Sequence, residues 1–528
     1  MSYLTGYDRQ QAALFTQSID ELISIDSPVR LIDLFVDSLD LKQLGFVETG
    51  TSDTGRPSYR PADLFKLYIY GYLNRVRTSR LLERECQRNI EVMWLLHGLQ
   101  PCFRTIAGFR SENPQGFRNV FTHFVKQLNK SGLIGGNTVA IDSSKFRAVN
   151  SKKNNYNQAK IERQLSYIDD KINNYISDLD QGDLTEDQEE QINQKIKKQR
   201  QRKRKYKRLE KQLRESGEDQ ISTTDPDARS MILHGSVIEV AFNVQTSVDD
   251  KHKLVVDYEP TNVNDRKALL NAALKAKEAC GVKKITVLAD KGYHNAEQID
   301  SCTNEGITTY VSPQDAARGS DIPTPEYYGE KFNYNKRNDS YTCPQGHVLK
   351  TNGRWYAKTH GQNVTQVKHY KTNACSTCKV KYQCTRNKHG RLIERSEYAE
   401  SVEKNDNRVK QNLDIYRKRQ EIIEHIFGTI KRQWGYDHIL LKGLEKNNGE
   451  FGLIYLIYNF RRIVNILDDK MIKKWLKSLF KLNLVLRSLM DGCRNKSKNL
   501  CKVFLIPRIV DYRFLRISFC TNCRYSQF

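Results

Sequence analysis

The chain has 528 residues, 38% hydrophobic and 28% charged, a globular composition with room for roughly two to four domains, which excludes a wholly disordered chain. Its 86 Lys and Arg against 62 Asp and Glu give a formal net charge of +24, so a polyanionic partner is expected, nucleic acid before an anionic membrane surface, because neutralised phosphates release condensed counterions. No apolar run reaches the roughly 20 residues of a membrane span, and the start of the chain lacks the basic and apolar regions of a secretory signal; a cytosolic location without membrane contact is expected, with the twelve cysteines as thiols or metal ligands rather than disulfides.

Residues 1–130 read as a helical domain. Pro61 stands where a helix start tolerates it, and Leu64, Leu67, Tyr68 and Gly71 follow at helical spacing. Arg75, Arg77, Arg80, Arg84 and Arg88 come next, basic residues of a helix that could meet phosphates. The stretch NTVAIDSSKFRAV, 137–149, is a β-branched run that reads as a strand ending in Asp142. Within 156–215, Ile161, Leu165, Ile168, Ile172, Ile176 and Leu179 recur every three or four residues, the pattern of a helical hairpin or coiled-coil insertion turning near 181–187. Its second arm, KIKKQRQRKRKYKR at 195–208, is dense enough in charge for a DNA-contacting arm.

From 236 the alternation SVIEVAFNVQTSVDD then KLVVDYEP suggests an antiparallel pair. A helix near 265–280, the apolar strand of KKITVLADKGY ending at Asp290, another helix and a strand at 308–313 complete a mixed α/β sheet. Residues 314–400 form a polar, Gly- and Cys-containing insertion, and helices resume over 401–467. The basic tail 468–528 contributes to the sixteen Lys or Arg against four Asp found from residue 461 onward.

Asp142 and Asp290 each follow a short apolar strand, where ligands gather in α/β sheets. Two carboxylates side by side repel and raise each other's pKa unless a cation neutralises them, and oxygen-only ligation suits magnesium or manganese. A third carboxylate from a helix would let two ions support in-line phosphoryl transfer. In IIEHIFGTIKRQWG, 422–435, Ile422, Ile423, Ile426, Phe427 and Ile430 share one arc; Glu424 lies on the polar arc, with Lys431 two turns along, and is the candidate for that third metal ligand. A second candidate centre is the C-x-x-C of Cys375 and Cys378, which Cys343 together with Cys384 or His347 could complete as a structural zinc site.

The order of these elements, with ADKGY after a strand and EHIFGTIKR on a late helix, resembles the RNase H-like DDE transposases of bacterial insertion sequences over most of residues 1–467. In the group with the Y-R-E-K signature, Tyr416, Arg419, Glu424 and Lys431 stand in the family's order, with one residue more between Arg419 and Glu424 than the pattern has. The resemblance implies an RNase H-like core over 131–313 and 401–467, with Asp142, Asp290 and Glu424 as catalytic metal ligands. It also implies that Tyr416, Arg419 and Lys431 contact DNA phosphates, the kind of contact that positions DNA without specifying sequence. The N-terminal helical region is associated with binding the element's terminal repeats. The implied activity is cutting at the ends of an insertion sequence and joining the 3′-hydroxyl to target DNA. The partner is double-stranded DNA, held by a homodimer because two ends must be paired. An RNase H-like nuclease without strand transfer, or a noncatalytic DNA-binding derivative, is the alternative.

Overall fold

The computed structural model describes residues 18–47, 57–180, 185–313, 322–360 and 363–467. The basic tail 468–528 and residues 181–184 of the expected hairpin turn lie outside these.

Six helices come first: α1 (Pro28–Asp37), α2 (Pro61–Leu73), α3 (Ser79–Arg88), α4 (Ile90–Leu95), α5 (Phe103–Glu112) and α6 (Pro114–Lys130). Proline opens α1, α2 and α6, at positions where its missing N–H leaves no intrahelical bond unmade. Every residue of α2 from Asp63 to Tyr72 is buried, so it is a core helix with no wet face.

The five arginines that follow do not form one basic face. Arg75 sits in a turn at φ 63°. Arg77 is buried, donates to the His438 carbonyl at 2.9 Å and lies 3.7 Å from the fully buried Glu450. Burial of a charge demands such a partner, so Arg77 belongs to the core, and only Arg80, Arg84 and Arg88 ride on α3.

The chain then enters β1 (Thr138–Arg147), followed by an insertion of β2 (Asn155–Asn157), α7 (Gln158–Asp180), α8 (Glu186–Ser216) and β3 (Gln220–Ser222). The two long helices pair through Ile161, Leu209 and Leu213 beside Tyr156, with Leu165 packed against them. Strand β4 (Arg229–His234) then turns through Gly235 into β5 (Val237–Asp249), and β6 (Val255–Thr261), α9 (Leu269–Cys280), β7 (Ile285–Ala289), α10 (Ala296–Asn304) and β8 (Ile307–Val311) follow. The sheet runs β4-β5-β1-β7-β8, with β6 also on β5. Strands β1, β7 and β8 are parallel, while β5 runs antiparallel to β1, β4 and β6.

Asp142 is therefore not a strand end. Pairing of β1 with β7 stops at Ile141↔Ala289, but β5 continues the ladder through Asp142↔Thr246 as far as Arg147↔Ala241, and this keeps the backbone extended past the acid.

The Cys-containing insertion holds two small three-stranded sheets, one of β9 (Asn333–Asn335), β10 (Ser340–Thr342) and β11 (Val348–Lys350), the other of β12 (Trp355–His360), β13 (Asn363–Tyr370) and β14 (Ile393–Ser396), with the short α11 (Lys381–Cys384) between β13 and β14. Helices α12 (Ala399–Gln411) and α13 (Leu413–Phe427) lead through a π-helical turn, Gly428–Gln433, to α14 (Leu444–Ile466). Helix α14 packs on α6 and β6, so the N-terminal helices and the sheet share one hydrophobic core from Ile23 to Ile463. Among the described residues no helix is long and apolar enough to cross a membrane.

Candidate active site

The parallel register brings two acids together. Because Ile141 pairs with Ala289, the next residues, Asp142 and Asp290, emerge side by side where β7 ends. Asp290 caps the turn Lys291–Tyr293, its carboxylate accepting the Gly292 amide. A third acid, Asp265, opens the turn after β6 and is held from below by β5: the Asn243 and Gln245 amides each donate to its Oδ1 at 2.7 Å. Gln245 in turn accepts the hydroxyl of the buried Tyr293.

These groups sense one another. Burial pushes the Asp142 carboxyl up to about 6; Arg419 and the Ser143 amide oppose the shift, while Asp290 and Asp265 add to it. Burial, and then Asp265, Asp142 and Asp290, drive the Tyr293 hydroxyl well above its ordinary range. An all-oxygen set of neighbouring, partly desolvated carboxylates has the chemistry that a hard divalent cation relieves. Among the described residues, no three His, Cys, Asp or Glu side chains are already closed into a ligand shell.

Helix α13 crosses this end of the sheet. Ile422, Ile423 and Ile426 are buried beneath it, and Arg419, seven residues before Ile426 and so on the same face, places Nη1 2.9 Å from Asp142 Oδ2. The Arg419 guanidinium also lies 6.0 Å from the Tyr416 ring. Glu424 is five residues beyond Arg419, about 140° around the helix. It is exposed, and its side chain has no hydrogen bond or ion pair among the described residues. Thus the fold gathers Asp142, Asp290 and Arg419, with Tyr416 beside Arg419, while Glu424 is exposed on α13.

Lys431 does not stay on the wet face expected of it. In the wider π turn the helical phase shifts, and Nζ donates to the Lys145 carbonyl at 2.5 Å while lying 4.5 Å from the Phe146 ring centre. Burial lowers its pKa to about 8, with Asp437 opposing. His294 lies 3.3 Å from Asp406, and His425 is 2.9 Å from the Tyr458 hydroxyl, so both rings are engaged in packing contacts.

The second cluster lies in the insertion. Cys343, Cys375, Cys378 and Cys384 line one small cavity with His347. Burial pushes the Cys384 thiol up to about 11; Arg391 opposes, and Cys375, Cys343 and Cys378 add to the shift.

Sequence reasoning missed Asp265 and its supports Asn243, Gln245 and Tyr293. Their signal was an acid shortly after strand β6, together with amide side chains among the buried residues of β5.

Residues 17–112 match a family model described as Transposase domain (DUF772), and residues 342–464 match one described as Transposase DDE domain. Two separate stretches of the chain are thus similar to transposase domains, the later one to the DDE class. No curated protein matches the chain. A solved structure, the cryo-EM structure of a piggyBac transposase synaptic complex with hairpin DNA, aligns with a TM-score of 0.32 at 10% identity, over 90% of this chain and 83% of that one.

Proposed function

We propose that this chain is a transposase that cuts DNA at the ends of an insertion sequence and joins the freed 3′-hydroxyl to target DNA, in an RNase H-like core that uses magnesium or manganese. The observation that carries this reading is the register β1–β7, which ends at Ile141↔Ala289 and so sets Asp142 beside Asp290. Asp142 and Asp290 are the proposed metal ligands, with Glu424 the carboxylate offered from α13 and Asp265 a further acid beside the pair. When bound, divalent metal supplies activation of water or of the 3′-hydroxyl and steadies the leaving oxygen.

The chain's own residues prepare the site. Arg419 forms an ion pair with Asp142 and partly offsets its burial. Asn243 and Gln245 fix the Asp265 carboxylate, and Tyr293 fixes Gln245, so Asp265 is held near Asp142 and Asp290. Tyr416, Arg419 and Lys431 are the proposed contacts to backbone phosphates, and residues 1–130 the proposed domain for the terminal repeats. The net charge of +24 supports double-stranded DNA as the partner, with two copies of the chain pairing two ends.

The test uses the element's own inverted repeats. Asp142→Ala, Asp290→Ala and Glu424→Ala proteins are expected to bind end-containing DNA yet fail to nick it with magnesium, and wild-type protein to join a precut end to target DNA. Normal nicking by any of the three removes that residue from the ligand set. Nicking without joining favours the nuclease reading.

A further inference from the structure

The insertion between β8 and α12 carries a feature that DNA cutting does not use. We propose that Cys343, Cys375, Cys378 and Cys384 together hold one structural zinc ion, and that this ion is the main crosslink of the insertion.

The four thiols come from three places in the chain and meet at one cavity of about 30 Å³. Cys343 leaves β10 in a tight turn: its carbonyl accepts the Gly346 amide and its amide donates to the His347 carbonyl, both at 2.9 Å, with Gly346 at φ +81°. Cys375 and Cys378 lie on and just after the turn Asn373–Ser376, and Cys384 ends α11. A two-residue gap between the first pair of thiols is the spacing that a tetrahedral thiolate centre favours. His347 also lines the cavity but is exposed, whereas all four cysteines are partly buried, so the all-thiolate set is the better one.

Two features shape the lining of this cavity, and the second points to an occupant. Gly390 closes over Cys375 at φ +89°, and a Cβ there would stand 2.6 Å from the cysteine Cβ and 3.3 Å from its sulfur; only glycine lets the chain approach this thiol. Beside it, Arg391 lines the cavity with a buried Nε that has no hydrogen-bond partner among the described residues. A buried guanidinium N–H without an acceptor is costly. A zinc ion with four thiolates carries a net charge of two negative and offers sulfur acceptors, which supplies what Arg391 lacks.

The module also needs a crosslink. Its own core is the cluster Phe332, Tyr341, Leu349, Tyr370 and Ile393, too few buried side chains to hold two small sheets, and its cysteines are free thiols rather than disulfides. The thiols ring the cavity, and binding would draw them onto one centre, coupling metal affinity to the folding of the insertion.

Elemental analysis of the full chain, purified without chelator and then titrated with zinc, tests this independently of any DNA activity. Wild-type protein is expected to hold about one zinc per chain, Cys102→Ser the same, and Cys378→Ser below about a tenth of that. Should Cys378→Ser fail to fold, wild-type protein produced with cobalt is expected to show thiolate-to-metal charge-transfer absorption. Wild-type protein that neither retains nor takes up zinc, Cys378→Ser with full zinc, iron in place of zinc, or cobalt protein without the thiolate band overturns the proposal.

Discussion

Arg419 reaches from α13 to Asp142, nitrogen to carboxylate oxygen in 2.9 Å, at the place where β1 and β7 part. The pair does not fully compensate the acid, because burial still holds the Asp142 carboxyl at about 6. A carboxylate buried there thus costs the protein stability once it is charged.

The sign follows from the direction of that shift. The folded carboxyl binds its proton more tightly than the unfolded one, so stability falls as pH rises from about 4 to about 6 and stays reduced above. Asp142→Asn mimics the protonated side chain and is expected to stabilise metal-free protein at pH 7 by about 1–3 kcal/mol, with the gain gone near pH 4. Urea denaturation at the two pH values measures it. Equal stability of the two proteins at pH 7 would show that Arg419 already offsets the burial.

Lys431 makes a second such case with the opposite charge. Its pKa falls to about 8 on burial, so the charged form is disfavoured in the folded state, and stability rises as pH climbs from about 8 to about 10.5. Lys431→Met keeps a long side chain over Phe146 and is expected to stabilise the free protein at pH 7 by about 1 kcal/mol, but not at pH 10.5, while weakening the binding of DNA ends. Thermal melts across pH separate the two effects from DNA titrations.

Where the site was legible in the sequence, a local rule carried it. The acid after ITVLA at Asp290 is a strand end in the fold, and the buried isoleucines of α13 fall on the arc their spacing gives. Asp142 was legible as an acid after an apolar run, but not as mid-strand, because the partner that extends β1 is β5, about a hundred residues later. Long-range partners likewise hide Arg77, whose charge is buried by Glu450, and Asp265, whose neighbours come from β1, β5 and β7. Lys431 was misplaced because a straight helical wheel cannot foresee a π turn.

In the insertion, Asp339 ties two sheets together at a single carboxylate. It accepts Lys368 Nζ at 2.8 Å and the hydroxyls of Tyr370 and Tyr334 at 2.6 and 2.8 Å, and the Lys368 bond above all lowers its pKa to about 2. Here the stabilisation is present above about pH 4 and is lost as pH falls through about 2. Asn tolerates the positive φ of 42° at this position, so Asp339→Asn isolates the charge. The side chain is 35% exposed and solvent screens the interaction. A cost of about 1 kcal/mol at pH 7 is expected, read as faster hydrogen exchange across β10 and β13. Unchanged exchange there would assign the sheet contact to packing alone.

Gly449 sets how closely α14 approaches α6. A Cβ at this position would stand 2.5 Å from Pro114 Cα and 3.0 Å from its carbonyl oxygen, and the backbone of a helix start cannot yield as a flexible side chain can. On an exposed helix Gly→Ala stabilises through its propensity, by up to about 1 kcal/mol. Overpacking against backbone outweighs that gain, so Gly449→Ala is expected to destabilise the protein by about 1–3 kcal/mol in urea denaturation. The same change at Gly428, where a Cβ meets nothing within 4 Å, is expected to be neutral or stabilising. A neutral Gly449→Ala would mean that α6 and α14 can separate without loss, and that the N-terminal helices do not depend on the shared core.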